Sequence, residues 1–407
     1  MAAASRPWGR RQLLQTGAVA LGGVGAGWSA SAATSPDSST AEPATQVVEA
    51  AVTGNQTVAF HGPHQAGITT PAQAHLSLLG LDLVAGTDRG GLARLMVLLS
   101  DDAARLSRGL GALADTEPEL ATAPARLTVT FGFGPRVMQE LVGGPDGIVS
   151  PLPAFKTDRL DPAWGQTDLA VQICGEDPLT VAHARRMILK DAAGLAELRW
   201  VQDGFRRARG TVADGTTMRN LMGQVDGTGN PAEADPDFAG LVWSSAGAFT
   251  GGTFMVVRRI RAHLEAWDRV DRIGREAAVG RRLDNGAPLT GVREHDQPDL
   301  TAVDSFGLPV IDPASHVARA RSADPAERFY RRGYNYAVTD ATRPTGEDSG
   351  LVFVAFGADL ERQFVPVQRR LAELDRLNAW VTTIGSAVYA VPPGAAEGQH
   401  VAQPLLT

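Results

Sequence analysis

Cysteine is almost absent from this sequence, since Cys174 is the only one in 407 residues. A single thiol excludes an internal disulfide framework and any metal site built from several cysteines. Cys174 closes an apolar run that begins at Leu169, which predicts a buried side chain that behaves as a small hydrophobe. Disulfide and cysteine–metal chemistry are therefore not expected.

Lysine is nearly as rare, and acidic residues outnumber basic ones. Lys156 and Lys190 are the only lysines, so the basic side chains are almost all arginine. The formal net charge of -7 at pH 7 argues against nucleic acid as a partner. The 43% hydrophobic and 20% charged contents are ordinary for a soluble globular protein, and the length suffices for two domains with sizeable cores.

The apolar stretch near the N-terminus is short and rich in glycine. It follows Arg10-Arg11 and ends near Trp28, before the small residues Ala30-Ser31-Ala32. This order predicts a signal peptide over residues 1–32, and the twin arginine predicts export by the Tat route to the periplasm or the cell exterior. A Sec signal or a membrane anchor is the alternative. We expect no stable membrane insertion, because the stretch is too short and too glycine-rich to span a bilayer comfortably.

Residues 33–55 are rich in Ala, Ser, Thr and Pro, which predicts a disordered linker. The chain then reads strand, helix, strand, strand, helix, strand, and its second half repeats this order more loosely. The strands are predicted at 75–84, 127–133, 168–174, 198–201, 253–258, 350–356 and 386–391. The helices are predicted at 90–108, 178–193, 260–270 and 360–377. This pattern predicts an α+β fold in which helices cover one face of antiparallel sheets.

Residues 219–231, which we call the signature loop, contain three glycines and an Asn-Pro, so no regular element can run through them. Asp226 is the only titratable side chain in the core of this loop. An Asx turn is the simpler explanation of that carboxylate. The extended string Arg-Asn-Leu-Met-Gly-Gln-Val-Asp-Gly-Thr-Gly-Asn-Pro resembles the signature of the DyP-type (dye-decolourising) haem peroxidases. Gln224 and Val225 depart from it, where an aromatic residue and a lysine are expected, which bears on access to the pocket.

Further segments resemble the same family, in the same order along the chain: 61–71, 127–135, 256–261, 331–334 and 350–354. With its Tat-type signal, the chain looks most like the exported subfamily that includes the deferrochelatase/peroxidase proteins. The resemblance implies two ferredoxin-like domains with antiparallel sheets, which we place at residues 56–225 and 226–400. It also implies one haem b per chain, bound between sheet and helices in the second domain.

The chain has eight histidines that could be the axial ligand of such a haem. The neighbourhood of His316 matches the proximal segment of the family, so the resemblance implies that His316 binds the iron, and His263 is the next candidate. A ligating histidine usually donates its other N–H to a carboxylate or carbonyl. Asp359 is the candidate for that partner.

The resemblance places the catalytic groups on the opposite, distal face of the haem. A carboxylate there can move a proton between the two oxygens of peroxide, and this role falls on Asp226. A fixed positive charge stabilises the cleaving O–O bond, and this role falls on Arg331, with Arg332 left open. Gly227, Thr228 and Arg331 are the further haem contacts that the resemblance implies.

We therefore predict a haem peroxidase that reduces hydrogen peroxide and oxidises organic reductants such as dyes and phenols. The alternatives are a deferrochelatase that releases iron from haem, a haem carrier without turnover, and a binding module without haem. Asp226 and Arg331 favour turnover, because a carrier needs neither. The sequence leaves the oligomeric state open, including a homo-oligomer.

Bulky dyes could not enter a buried haem pocket, so electrons could arrive through aromatic side chains nearer the surface. Trp200, Trp267, Trp380 and Tyr389 are the candidates. Core packing is the simpler explanation for each of them.

Overall fold

The computed structural model describes residues 52–143, 149–343 and 345–407. The predicted signal peptide at 1–32 and residues 33–51 of the predicted linker lie outside them. The remainder of that linker is partly regular, since Thr53–Asn55 forms a 3-10 turn.

Within the described residues, nine antiparallel strands form one sheet. They are β1 (His75–Leu83), β2 (Thr128–Phe133), β3 (Leu169–Gly175), β4 (Ala196–Phe205), β5 (Thr253–Ala262), β6 (Tyr330–Arg331), β7 (Tyr334–Thr339), β8 (Glu347–Gly357) and β9 (Val381–Val391). Their order is β5-β9-β2-β3-β1-β4-β7-β8-β6, and β5 also pairs with β8. All strands except β6 therefore lie on a closed ring.

The ring consists of two halves with the same strand order, β4-β1-β3-β2 and β9-β5-β8-β7. Pairing within each half is extensive, whereas each seam between the halves has a single residue pair. These pairs are Phe133 with Ala390 and Phe205 with Asn335. Two antiparallel units of this order, each with a helix after its third strand, are ferredoxin-like. The predicted fold class is confirmed, and the boundary placed at residues 225/226 stays a prediction.

The described helices are mostly short. They are α1 (Arg89–Leu106), α2 (Pro135–Val137), α3 (Pro178–Ala192), α4 (Phe238–Val242), α5 (Leu264–Asp268), α6 (Arg272–Val279), α7 (His316–Ala320), α8 (Phe364–Leu374) and α9 (Gln403–Leu406). None of them has both the length and the apolar composition needed to cross a membrane. The long helices α1 and α3 begin where Asp88 and Asp177 accept main-chain N–H groups at 2.7 and 2.8 Å, which satisfies otherwise unpaired donors.

Strand side chains alternate between two cores, as the period of a β-strand requires. In β2, for example, Phe131 and Phe133 belong to the larger core under α1, α3 and α8. The second core fills the interior of the ring and contains Met255, Tyr389 and Cys174. Cys174 is fully buried, which confirms its prediction.

The predicted helix at 260–270 is wrong. Strand β5 continues to Ala262, and only the short α5 follows it. The sheet accommodates arginines along β5 because they form ion pairs with carboxylates of other segments. Arg259 and Arg261 both bind Asp348, at 2.9 and 2.7 Å. The sequence pattern predicts neither β6 nor β7.

Candidate active site

His316 is the first residue of α7, in the long segment between β5 and β7. Its Nδ1 lies 2.6 Å from Oδ2 of Asp375. Oδ1 of Asp375 in turn accepts the N–H of Leu377 at 2.9 Å, just after α8. One ring nitrogen is thus held by a fixed carboxylate and Nε2 is left for another partner. This arrangement is typical of a histidine that ligates a metal.

Two opposing effects act on the imidazole of His316. Burial favours its neutral form, but the charge of Asp375 and its hydrogen bond outweigh burial, so the pKa of His316 is raised. Asp226 also raises this pKa and Arg331 lowers it, which places both groups within electrostatic reach of the ring. The side chain nevertheless keeps 37% of its surface exposed. Open space therefore lies beside the ring.

Asp359 is not the partner of His316, so that prediction is wrong. Its Oδ1 accepts the N–H of Arg362 at 3.0 Å, just before α8. The observed partner, Asp375, follows the other end of the same helix. It is 59 residues from His316 in sequence, and the contact depends on α7 packing against α8. No local motif signals such a pairing.

The first part of the signature loop folds as a small hairpin that ends at Asp226. Arg219 and Val225 form an isolated antiparallel bridge, and Asp226 donates its N–H to Met218 at 2.8 Å. Oδ2 of Asp226 accepts a hydrogen bond from Nδ2 of Asn220 at 3.2 Å. Among the described residues the carboxylate accepts no main-chain N–H, so the Asx-turn interpretation does not hold for it.

Arg331, at the end of β6, faces Asp226. Its Nη1 lies 3.9 Å from Oδ1 of Asp226, and both side chains are 27% exposed. This separation exceeds a hydrogen bond, so both groups can still bind a third molecule. Arg332 points elsewhere: it is buried and donates to the carbonyl of Thr70 and to the side chain of Gln73. The structure brings Arg331 to the carboxylate and leaves Arg332 in the core.

Gly227 and Thr228 continue the loop beyond Asp226. Gly227 has a φ of 134°, and a Cβ there would lie 3.2 Å from Cγ2 of Thr217. Oγ1 of Thr228 donates to Oε1 of Glu294 at 2.9 Å, and Oγ1 of Thr217 donates to the same oxygen at 2.5 Å. Glu294 is therefore a residue of the site that sequence reasoning missed, because it lies in a charged loop without a recognisable pattern.

Two buried polar atoms flank the site and find no hydrogen-bond partner among the described residues. They are Oγ of Ser315, beside His316, and Nε2 of Gln224, two residues before Asp226. An unpaired buried polar group costs about 1–3 kcal/mol, and such atoms often mark the place of a ligand or water. Nε2 of His316 is also free, and open space lies beside its ring. Together these features fit a bound haem.

The proposed electron-transfer aromatics are mostly core residues. Nε1 of Trp200 and of Trp267 each donates to a main-chain carbonyl at 2.9 Å, and the hydroxyl of Tyr389 lies 2.8 Å from that of Thr167. All three are buried. Trp380 is half-buried, with its ring 5.1 Å from that of Trp267. Packing accounts for the three buried rings, and their role in electron transfer stays a prediction.

Comparison with known proteins agrees with this geometry. Residues 65–206 match the family model "Dyp-type peroxidase, N-terminal", and residues 217–396 match "Dyp-type peroxidase, C-terminal". The chain is 37% identical over 365 residues to a dye-decolorizing peroxidase from Thermobifida fusca, covering 84% of this chain and 83% of that protein. It is 34% identical over 361 residues to the deferrochelatase of Escherichia coli K12, covering 84% and 85%.

Solved structures give the same answer. A DyP-type peroxidase from Cellulomonas bogoriensis is 49% identical with a TM-score of 0.83, and the match covers 88% of this chain and 99% of that one. An oxyferrous complex of DtpA from Streptomyces lividans is 39% identical, also with a TM-score of 0.83, over 87% and 99% of the two chains. The chain therefore belongs to the DyP-type peroxidase family and is a peroxidase, as its signature loop predicted.

Proposed function

We propose that His316 binds the iron of one haem b from the proximal side, while Asp226 and Arg331 act on hydrogen peroxide from the distal side. When bound, haem would supply a redox-active iron, through which peroxide can oxidise an organic reductant such as a dye or phenol. One observation carries this proposal: Asp226 and Arg331 form an open pair, 3.9 Å apart, within electrostatic reach of His316.

On the proximal side, the hydrogen bond to Asp375 orients the imidazole of His316. An N–H at Nδ1 that donates to Asp375 leaves the lone pair of Nε2 for the iron. The same hydrogen bond raises the basicity of the ligand. Gly227 and Thr228 are the proposed contacts with the haem on the distal side, where the missing side chain of Gly227 allows the backbone to approach closely.

On the distal side, the carboxylate of Asp226 would take a proton from one peroxide oxygen and return it to the other, which leaves as water. Two electrons from the organic reductant and two protons then reduce the remaining oxygen to a second water. The amide of Asn220 holds Oδ2, and Oδ1 is the oxygen on the Arg331 side. The positive charge of the Arg331 guanidinium stabilises the negative charge that develops as the O–O bond breaks.

Stopped-flow mixing with peroxide tests these roles. Asp226→Asn keeps size and hydrogen bonding but removes the proton acceptor, so the rate should fall roughly 10²–10⁴-fold. Arg331→Leu should cost about 3 kcal/mol of activation free energy. Asp359→Asn, just before α8, is the matched control and should react like the wild type. Near wild-type rates in both site variants, with the Soret band intact, would exclude them as the distal groups.

Similarity to the E. coli deferrochelatase favours a second candidate function, the release of iron from haem. Asp226 and Arg331 argue for peroxide turnover instead, as stated above. Incubation with haem without peroxide separates the two functions. Iron release would leave free protoporphyrin, whereas a peroxidase would return intact haem.

Export by the Tat route is also part of the proposal, and it depends on Arg10-Arg11. Replacing both arginines by lysine should leave the precursor in the cytoplasm, because the Tat route requires the guanidinium pair. Unchanged export of that variant would assign the signal to the Sec route.

A further inference from the structure

Asn230 binds the main chain of Arg331 at two points. Its Oδ1 accepts the N–H of Arg331 at 2.7 Å, and its Nδ2 donates to the carbonyl of Arg331 at 2.9 Å. Arg332, the residue after β6, donates its N–H to the carbonyl of Val354 in β8 at 2.8 Å. The polar main-chain groups of Arg331 thus face away from β8. The amide of Asn230 occupies the place that another strand would take on this edge.

Two glutamines make the same contact far along the ring. Gln65 accepts the N–H of Phe131 at 2.8 Å and donates to its carbonyl at 3.0 Å. Gln166 accepts the N–H of Val388 and donates to its carbonyl, both at 2.9 Å. Both lie at the seam where β2 and β9 separate beyond the pair of Phe133 and Ala390. The two-point amide contact is therefore a repeated means of closing a strand edge in this protein.

The contact of Asn230 differs in what it connects. Asn230 belongs to the signature loop, four residues after Asp226, and Arg331 carries the guanidinium that faces Asp226. The amide thus joins the loop that holds the carboxylate to the strand that holds the cation. Gly229 lies between Asp226 and Asn230 in the loop, and a Cβ on Gly229 would be 3.6 Å from Nη2 of Arg331. The guanidinium consequently passes close over the loop backbone.

We propose that Asn230 is a positioning residue for the peroxide reaction. It fixes the main chain of Arg331 relative to the signature loop, and so sets the separation of the guanidinium from Asp226, without touching peroxide itself. The inference rests on the distal roles proposed above for Asp226 and Arg331. Reaction rates are sensitive to such placement, since a shift of about 1 Å in a catalytic group can cost on the order of 10²-fold.

The test compares Asn230→Ala with Gln166→Ala, since each variant removes a side-chain amide that binds both the N–H and the carbonyl of one strand residue. Gln166 also donates to the carbonyl of Thr167 at 3.0 Å, so its loss should destabilise the protein at least as much. Both should lower the melting temperature. Only Asn230→Ala should slow the reaction with peroxide, by about 10- to 10²-fold. It should also weaken the binding of fluoride to the ferric protein about tenfold, because an anion held beside Arg331 loses a charged hydrogen bond. Equal peroxide rates and fluoride affinities in the two variants would overturn the proposal.

A second comparison asks whether Asn230 acts through Arg331. In an Arg331→Leu background, Asn230→Ala should cause no further loss of rate, because two residues that act as one unit are not additive. A full additional loss would overturn the proposal. If Arg331→Leu slows the reaction but Asn230→Ala does not, only the positioning role fails. If Arg331→Leu itself reacts at the wild-type rate, both the positioning role of Asn230 and the proposed distal role of Arg331 fail.

The milder variant Asn230→Ser covers the case in which the alanine variant does not fold. Its shorter hydroxyl can keep one of the two hydrogen bonds. Its peroxide rate and fluoride affinity should therefore be lower than those of the wild type and of the Gln166→Ala control. Both should be higher than those of Arg331→Leu. Values equal to the control would count against the proposal.

Discussion

The two halves of the ring share one strand order but differ in what connects their first two strands. In the first half, β1 and β2 are joined through the 18-residue helix α1, which packs its apolar side on the sheet. In the second half, the corresponding connection between β5 and β7 runs through residues 263–333 and contains α5, α6, α7 and β6. His316, Glu294 and Arg331 all lie in this connection. These three site residues thus lie where the second half departs from the shared plan, whereas the signature loop with Asp226 precedes β5.

The ion pairs of the protein show a related difference. Arg258 and Asp158 are almost fully buried and meet at 2.6 Å, which leaves little room for another molecule. Arg331 and Asp226 are partly exposed and stay 3.9 Å apart. A closed pair holds segments of the chain together, whereas an open pair retains unused donor and acceptor capacity. Of these two pairs, only the open one has donors and acceptors left for a substrate.

The largest effect on stability is expected from the first half. Phe131 is buried in its core, so Phe131→Ala should lower the free energy of unfolding by about 3–5 kcal/mol. The folded fraction should still react with peroxide at the wild-type rate, because the first half is scaffold. Urea unfolding and stopped-flow mixing measure the two quantities. A slowed reaction in fully folded protein would contradict the separation of scaffold and site.

A smaller effect on stability, coupled to the site, is expected at Gly227. Its φ of 134° and the nearby methyl group of Thr217 make Gly227→Ala strained by about 1–3 kcal/mol. The peroxide rate should fall too, because the strain lies beside Asp226. Gly223→Ala is the control: its φ is also positive, but its Cβ would meet open space. Equal peroxide rates in the two variants would show that the loop tolerates displacement.

The smallest effect is expected at a pair of carboxylates on α1 and α3. Burial first, and then the charge of Asp102, raise the pKa of Asp191 to about 7, with Asp101 adding to the shift and Lys190 opposing it. The folded state therefore holds a proton that the unfolded state releases near pH 4. The resulting stabilisation is complete below that pH and is lost as the pH rises through 7.

Asp191→Asn keeps the neutral shape and should remove this pH dependence. The wild type should lose stability between about pH 4 and pH 7, and the variant should not. The variant's free energy of unfolding should therefore rise relative to the wild type by on the order of 1 kcal/mol over this range. Solvent screening of the partly exposed carboxylate keeps this figure small. Urea midpoints at the two pH values measure the change. If the free energies of unfolding of the variant and the wild type differ by the same amount at both pH values, Asp191 is ionised in the folded protein throughout this range.

Regular periodicity made the first half predictable from sequence. Helices α1 and α3 and strands β1, β2 and β3 lie close to their predicted positions, because apolar residues recur there at helical or alternating spacing. The second half was harder. The spacing of apolar residues at 260–270 resembled a helix, yet β5 occupies its start because Arg259 and Arg261 find Asp348 across the sheet. Strand β6 is too short for any period to reveal it.

The site divides in the same way. Asp226, Arg331 and His316 were reached through motifs that are continuous in sequence. Two supporting contacts, those of Asp375 and Asn230, were not, because each joins segments far apart along the chain. Asp375 reaches His316 only through the packing of α7 on α8, and Asn230 is 101 residues from Arg331. Local patterns carry no information on such pairings.

Titration of the haem-free protein with haem tests the central claim most directly. His316→Ala should fold but fail to form the stoichiometric Soret band of the wild type, because we propose that the His316 imidazole ligates the iron. His263→Ala is the matched control, since that imidazole is bound to the hydroxyl of Thr382 at 2.9 Å, and it should bind one haem per chain. A wild-type Soret band in His316→Ala, or its loss in His263→Ala, would contradict the account.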